Sequence, residues 1–287
     1  SQAQTTVVWS EDWEGVWTDN WHADAGVWET GVPSSGPAKA HTGSKCAATV
    51  LTGDYPATAD SRLIRHSAFV VPVTNENPRL CFWQWFSFNV NDYGVVQIKV
   101  GSQDWRNITD ATYWYGSNVW SFNSIDLSTY SGQTVQIGFF FQARVDGTSL
   151  NGDDTDRGWY IDDVSLVTGP IVVNNPETFE SGWGDWHAES GTWEVGKPTA
   201  GPPASHSAMN CAGTVLKGNY SNTSDSRLIS PKVKLPKGSP NLAFQFWQWY
   251  NFNANDYGQI QIKVNDKSWK SLSSQFTSAS GAWSFYY

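Results

Sequence analysis

The chain has 287 residues, with 18 Trp but only 1 Met, and its 27 acidic and 18 basic side chains give a formal net charge of −9. This charge argues against nucleic acid or an anionic membrane surface as a partner, because both bind preferentially to positively charged protein surfaces. No stretch approaches the roughly 20 apolar residues of a membrane-spanning helix. Turn and strand formers are abundant and no apolar stripe has helical period, so the sequence predicts an all-β protein long enough for two domains.

The chain contains two copies of one module. After a predicted opening strand over Thr5–Trp9, the first copy begins at Trp13-Glu14 and the second at Phe179-Glu180. Both copies continue through a loop rich in Gly, Pro and Ser and then through the identical string Asp-Ser-Arg-Leu-Ile. Such loops break strands and run over the surface. We therefore predict two tandem modules, residues 1–169 and 170–287, joined by a short linker.

The most regular part of each module is an aromatic strand followed by a turn and a second strand. Residues 82–100 and 246–264 are identical at 14 of 19 positions. The central Asn-Asp-Tyr-Gly has turn chemistry, and the Gln-Ile-Lys-Val end alternates with period two. Many short strands separated by polar turns indicate a β-sandwich or jelly roll.

The second module lacks a counterpart for residues 125–167 of the first. These 43 residues include a predicted strand over 134–141 and a closing strand over 159–166. Without them the second module would expose an unpaired sheet edge and an open apolar face. Two explanations stand side by side: the chain is a fragment of a longer protein, or another subunit supplies a strand, for which the Thr5–Trp9 segment is a candidate.

Aromatic side chains occupy both faces of the repeated strand. Alternation puts Phe82, Phe86 and Phe88 on one face and two tryptophans on the other. Flat aromatic rings stack on the apolar faces of sugars, and exposed Trp often marks an interface. The candidate ligand-binding residues are Trp83, Trp85, Trp247 and Trp249. The alternative is that both faces are covered and these rings belong to the core.

The ordered set of short motifs in the first copy resembles the MAM-like and cleaved-adhesin-like jelly-roll modules of secreted bacterial proteins, such as the accessory module of immune-inhibitor-A-type metallopeptidases. The matching pieces run from residue 9 to 167 and include Trp13-Glu14, the Trp28–Pro33 loop, Ala40–Gly43, Leu80–Trp83, Ile125–Ser128 and Gly158–Val164. The resemblance implies an extracellular location and a non-catalytic function, either accessory or adhesive. Fold resemblance of this kind does not define an activity.

A calcium site is expected at the closing strand. Five aspartates within eleven residues repel one another unless they are solvated or bridged by a cation, and calcium prefers oxygen ligands. They are Asp153, Asp154, Asp156, Asp162 and Asp163. The resemblance further implies that a glutamate at the start of the module joins the closing strand around the ion, which selects Glu14 and, in the second copy, Glu180. The alternative is a solvated acidic loop.

The sequence offers little for catalysis. None of the five histidines has the His-Glu-x-x-His spacing of zinc peptidases, and no Gly-x-Ser-x-Gly occurs. His22 and His41 recur as His187 and His206, which indicates structural hydrogen bonding. A disulfide between Cys46 and Cys81 is one hypothesis, but Gln245 replaces the second partner in the repeat, so buried free thiols are the simpler one.

These observations predict a secreted or cell-surface protein of two β-sandwich jelly-roll modules, the second lacking its C-terminal strands. Its predicted function is adhesion or glycan binding, with calcium as a stabilising ion. The first alternative is a structural subunit of an extracellular filament or sheath, whose partners are copies of itself. The second is an accessory region of a larger secreted metallopeptidase. Low charge and high aromatic content fit all three.

Overall fold

The computed structural model describes residues 5–108, 112–145, 154–238, 241–265 and 267–287. These residues form short β-strands with single-turn 3-10 helices at Trp17–Asp19, Thr74–Glu76 and Ser128–Tyr130. The all-β prediction is confirmed. Contacts divide the chain into two compact units: unit 1 is Ser1–Glu177, Ser181–Glu194 and Tyr220–Val233, and unit 2 is Thr178–Glu180, Val195–Asn219 and Lys234–Tyr287.

Unit 1 therefore contains the whole first copy and two segments of the second. The strands of the first copy are β1 (Thr6–Glu11), β2 (Trp21–Ala23), β3 (Glu29–Gly31), β4 (Cys46–Ala48), β5 (Ala59–Arg65), β6 (Phe69–Val70), β7 (Arg79–Ser87), β8 (Tyr93–Val100), β9 (Arg106–Asn107), β10 (Ser121–Asp126), β11 (Thr134–Ala143) and β12 (Gly158–Thr168). Those of the second copy are β13 (His187–Glu189), β14 (Glu194–Gly196), β15 (Cys211–Gly213), β16 (Arg227–Ile229), β17 (Phe246–Gln248), β18 (Gln261–Ile262), β19 (Lys270–Ser271) and β20 (Ser284–Tyr286).

The first copy is a sandwich of two antiparallel sheets. One sheet has the order β10-β7-β12-β4-β3, with β1 added to β12, and the other has the order β2-β5-β11-β8-β9, with β6 added to β11. The core between them is aromatic: the Phe82 and Phe139 rings lie 5.2 Å apart, and Phe139 and Trp159 lie 5.7 Å apart. Each buried side chain of this size contributes about 1.5–3 kcal/mol to folding. The β-sandwich prediction is thus confirmed.

β7 shows the alternation that the sequence predicts. Phe82, Phe86 and Phe88 belong to the central core and are at most 4% exposed. Their neighbours Trp83 and Trp85 point the other way, because successive side chains of a strand alternate between its faces. The outer face of this sheet is therefore also aromatic, and what covers it decides whether it can bind a ligand.

The opening strand is not available to another subunit. β1 pairs with β12 of the same chain, from Thr6 opposite Thr168 to Glu11 opposite Val164. The sequence correctly predicts a strand here, but the expectation of a free donor over Thr5–Trp9 is wrong for this structure, because backbone pairing with β12 already satisfies it.

Unit 2 contains three strand pairs: β14 with β15, β17 with β20, and β18 with β19. By repeat position, β17 corresponds to β7, β20 to β10, β15 to β4, and β14 to β3. Among the described residues of unit 2, no strand lies between β17 and β15 as β12 lies between β7 and β4. Phe244 in this unit is 56% exposed, whereas its counterpart Leu80 is fully buried.

Candidate functional site

In unit 1 the outer aromatic face is built around Trp83. The imidazole of His41 stacks on its indole with 3.6 Å between ring centroids and 16° between planes. Trp120 meets the same imidazole edge-on at 6.0 Å, and its indole N–H donates to the Lys39 carbonyl at 3.2 Å, which fixes the loop that carries the histidine. Phe122 on β10 lies beside Trp83 at 5.6 Å.

This face is closed by Trp183, which belongs to the second copy by sequence and to unit 1 by contacts. The Trp183 ring meets both Trp83 and Phe122 at 6.1 Å and is only 9% exposed. An ion pair at 3.3 Å between Arg79, on β7, and Asp185 fastens the covering segment. The Trp83 ring is therefore packed against another aromatic ring of the same unit.

Trp85, two residues further along β7, is buried. It is 7% exposed and lies in a second apolar cluster with Ala40, Cys46, Ala48 and Tyr160. Its ring packs edge-on against Tyr160 at 5.4 Å. This placement favours the core interpretation of Trp85 that the sequence left open.

Unit 2 repeats the stack and leaves it open. His206 stacks on Trp247 at 3.8 Å and 13°, and the Trp283 indole N–H donates to the Ala204 carbonyl at 3.0 Å. Trp247 contacts Phe285, on β20, at 5.4 Å. Trp247 is 46% exposed and Phe285 49%, and the adjoining Tyr287 is 83% exposed. Three neighbouring aromatic side chains thus face solvent on one side of unit 2.

The sequence explains part of this difference. The position of Arg79, which holds the covering segment in unit 1, is Ala243 in the second copy, so the ion pair has no counterpart there. Trp249, the counterpart of Trp85, is half-buried, and its ring approaches Gly201 so closely that a Cβ there would lie 2.9 Å from it. Of the four predicted tryptophans, Trp247 is the most accessible.

The predicted calcium ligands gather around one loop. The Glu14 carboxylate accepts the backbone N–H groups of Ser44 and Lys45, each at 2.7 Å. Gly43 permits this approach: its φ is +57°, and a Cβ there would lie 2.5 Å from Glu14 Oε1. These N–H donors hold the pKa of Glu14 below its usual range.

Two aspartates of β12 hold the same loop from the other side. Asp162 Oδ2 accepts the backbone N–H of His41 at 2.9 Å and that of Thr42 at 3.2 Å. Asp163 accepts from His41 Nδ1 at 2.7 Å and from Thr42 Oγ1 at 2.6 Å. Burial, reinforced by the Asp163 charge, raises the pKa of Asp162 to about 7, although the N–H donors oppose the shift.

Two further predicted ligands, Asp156 and Glu180, accept hydrogen bonds of their own. Asp156 accepts from Ser87 Oγ at 2.7 Å and so ties the loop before β12 to β7. Glu180 of unit 2 accepts the backbone N–H of Asn210 at 2.7 Å, repeating the role of Glu14. Asp154 is described, whereas Asp153 lies outside the described residues. Within the described ranges, no group of three or more His, Cys, Asp and Glu side chains is arranged to hold a metal ion.

Burial shifts the pKa values of the cysteines and of two of the duplicated histidines. Cys46, Cys81 and Cys211 are free thiols, and burial raises the pKa of Cys46 to about 12. Burial also lowers the pKa values of His22 and His187. Sequence reasoning assigned no binding role to His41, His206, Trp120, Trp283 or Trp183. The first four form two repeat pairs, His41 with His206 and Trp120 with Trp283. This recurrence is the sequence signal that could have identified them.

No helix among the described residues combines the length and apolar character needed to cross a membrane. No family model matches the chain, so the resemblance to MAM-like modules stays a prediction. The chain is similar to Bacillopeptidase F of Bacillus subtilis (strain 168), with 31% identity over 189 residues. The match covers 62% of this chain and 12% of that protein, so the chain spans only a small part of its curated relative.

The solved structures that the chain matches include several carbohydrate-binding modules. The CBM22-1 xylan-binding domain of Paenibacillus barcinonensis Xyn10C has 13% identity and a TM-score of 0.37, covering 58% of this chain and 97% of that one. TmCBM61, solved with β-1,4-galactotriose, has 14% identity and a TM-score of 0.34, covering 51% and 86%. Likeness at these scores does not transfer a ligand to this chain.

Proposed function

We propose that the protein is a non-catalytic extracellular or cell-surface protein that binds a glycan through the exposed aromatic face of Trp247, Phe285 and Tyr287. The observation that carries the proposal is the open Trp247 stack in unit 2, set against its covered counterpart at Trp83. Binding sites combine apolar and aromatic walls with a few polar groups, and aromatic faces offer large contact area with few rotatable bonds.

The geometry of the stack suits a flat ligand. His206 lies parallel to one face of the Trp247 indole and so holds the ring in one orientation. The Phe285 and Tyr287 rings are nearly parallel at 27°, with centroids 6.3 Å apart. A preorganised aromatic surface loses little entropy on binding, which favours stacking of a pyranose face on it.

We expect Trp247→Ala to abolish glycan binding, because the largest accessible ring of the platform is removed. Affinity gel electrophoresis with soluble xylan, β-1,4-galactan and mannan measures binding as retarded migration. Trp114→Ala is the matched control, since Trp114 is 48% exposed and lies in unit 1. It should migrate as the unaltered protein does. Equal retardation of the Trp247→Ala protein would contradict the proposed site.

A second candidate function is favoured by the similarity to Bacillopeptidase F, which is a peptidase by name. In this proposal the chain is an accessory region of a larger secreted peptidase. Intact-mass measurement of the native polypeptide tests it, because the sequence accounts for 31.9 kDa. A heavier polypeptide with proteolytic activity would support it, and a native mass of 31.9 kDa would contradict it.

We also propose that calcium stabilises unit 1 at the corner of Glu14, Asp162 and Asp163. Glu14 Oε2 accepts one hydrogen bond, from Ser44 Oγ, and Asp162 Oδ1 accepts one, from the Asp163 N–H, so each oxygen keeps a second lone pair for a cation, with further oxygens from backbone or water. An ion bound only by the folded state raises stability, by about 2.7 kcal/mol at a hundred times its Kd.

Excess EDTA should therefore lower the melting temperature of calcium-loaded protein, measured by calorimetry, and Glu14→Gln should remove this sensitivity. Glu180→Gln, at the equivalent position of unit 2, is the control for a general charge effect. A melting temperature that EDTA leaves unchanged would rule out the ion.

A further inference from the structure

Two histidines lie side by side at one end of the sheet β2-β5-β11-β8-β9 of unit 1. β2 is the end strand of this sheet and pairs antiparallel with β5, with His22 opposite Ile64. His66 directly follows β5, and its backbone N–H donates to the Asn20 carbonyl at 2.7 Å, which continues the ladder by one residue. His22 and His66 are therefore diagonal neighbours on paired strands, and such neighbours share a face of the sheet.

The two imidazole rings are in contact. Their centroids lie 4.6 Å apart, and their planes are inclined by 56°. Two nitrogens that bind one metal ion lie about 3–4 Å apart, because each metal–nitrogen bond is about 2.0–2.1 Å long. Rings at this separation reach that spacing by small rotations. The side chain of His66 is exposed and can make them, whereas His22 is half-buried.

The ring of His22 has an unused nitrogen. Its Nδ1 atom is buried and has no hydrogen-bond partner among the described residues, in contrast to His41, whose Nδ1 is paired with Asp163 at 2.7 Å. Burial, reinforced by the neighbouring charge of His66, lowers the pKa of His22, so this imidazole is neutral at pH 7 and keeps one nitrogen lone pair. A buried polar atom without a partner is costly, and a metal ion bound between the rings would be a partner for it.

The second copy has only half of this pair. β13 pairs with β16 in the same register, so that His187 lies opposite Ile229 as His22 does opposite the equivalent isoleucine. The counterpart of His66, however, is Pro231, which has no nitrogen that can bind a metal. The duplicated histidine therefore meets a second imidazole in the first copy and a proline in the second. This difference supplies an internal control.

The surroundings favour a metal that prefers nitrogen. Asp24 attracts a positive charge at His22, but its carboxylate already accepts the Arg62 backbone N–H at 2.7 Å and pairs with the Arg62 guanidinium at 2.9 Å. The site therefore offers imidazole nitrogens, which suit Cu, Zn and Ni ions, whereas Ca²⁺ and Mg²⁺ prefer oxygen. In the divalent series the affinity of such ligands is highest for Cu²⁺.

We propose that His22 and His66 form a two-imidazole site for a divalent transition-metal ion, with Cu²⁺ bound most tightly and water completing its coordination. The ion would link the end strand β2 to β5. The three cysteines are poor competitors, because a metal binds the thiolate and burial raises the pKa of each thiol. The inference depends neither on the calcium corner nor on the aromatic face proposed to bind glycan.

The test titrates the full chain with Cu²⁺, followed by calorimetry and by electron paramagnetic resonance. The bound ion should show hyperfine splitting from two imidazole nitrogens, and excess Ca²⁺ should not displace it, because hard cations prefer oxygen ligands. His66→Ala, at an exposed position, should weaken binding at least about 10-fold, since even the loss of an outer-shell partner of a metal site costs about 10–100-fold.

His187→Gln is the matched control, because it removes the duplicated histidine that has no imidazole beside it. This variant should bind Cu²⁺ as the unaltered protein does, and His22→Ala should weaken binding as His66→Ala does. The proposal is overturned if His66→Ala binds as tightly as the unaltered protein, or if the resonance spectrum shows fewer than two nitrogens. Equal weakening by His187→Gln would also overturn it, since the ion would then lie elsewhere.

Discussion

Replacement of Trp85 by alanine is expected to lower the free energy of unfolding of unit 1 by about 3–5 kcal/mol, the usual range for a buried Trp or Phe changed to Ala. The ring is 7% exposed and packs against Tyr160, so its loss leaves a cavity in a cluster that also contains Cys46 and Ala48. Urea unfolding followed by circular dichroism measures the change.

Trp249→Ala is the matched control, because Trp249 occupies the same repeat position but is only half-buried. Its replacement should cost clearly less. Equal costs at the two positions would contradict the assignment of Trp85 to the core. If Trp85→Ala instead left stability unchanged and removed glycan retention, Trp85 would belong to a binding surface.

The contribution of His187 to the stability of unit 1 should fall as the pH is lowered from about 6.5 to 4, against an opposite contribution from Asp162, whose folded-state pKa of about 7 lies above its usual range. Burial lowers the pKa of this histidine to about 4, while the carbonyl and charge of Asp185 partly oppose the shift. In this pH range the unfolded state binds a proton that the folded state does not. The contribution of His187 to the free energy of unfolding therefore decreases as the pH drops. At about 1.4 kcal/mol per pKa unit, the loss of unfolding free energy that His187 causes over this range is about 3 kcal/mol.

Unfolding free energies of the unaltered protein and of His187→Gln, measured at pH 7, 5.5 and 4.5, test this expectation. Relative to its own value at pH 7, the variant should become more stable than the unaltered protein as the pH is lowered. His206→Gln, at an exposed position of unit 2, should keep the slope of the unaltered protein. A slope that His187→Gln does not change would show that other groups cause the acid sensitivity.

Much of the architecture was predictable because it depends on local patterns. The two-residue alternation in β7 places Phe82 and Phe86 inside and Trp83 and Trp85 outside, and the structure confirms it. The internal repeat likewise predicts that Glu14 and Glu180 play equivalent roles, and each accepts backbone N–H groups from the same loop of its own copy. Equal sequence produced equal local geometry in both cases.

The candidate site was only partly predictable. The sequence gives Trp83 and Trp247 the same neighbours, and both stack on a histidine. Their exposure differs because Trp183, 100 residues further along the chain, covers the first ring. The opening strand is a similar case: its β character follows from its composition and the family resemblance implies a place beside the closing strand, whereas its register against β12, more than 150 residues away, comes from the structure.

The sequence by itself determined the class of fold, the duplication and the faces of the strands, because turn chemistry and side-chain alternation act between neighbours in the chain. The tertiary structure alone decided which aromatic surface is open, which strand edges are satisfied and which carboxylates are buried. Those properties depend on which surfaces are shielded from solvent by segments that are distant in the sequence. Trp247 and Asp162 show this most directly: one is 46% exposed because no segment among the described residues covers it, and the pKa of the other is raised because burial removes water from a charge.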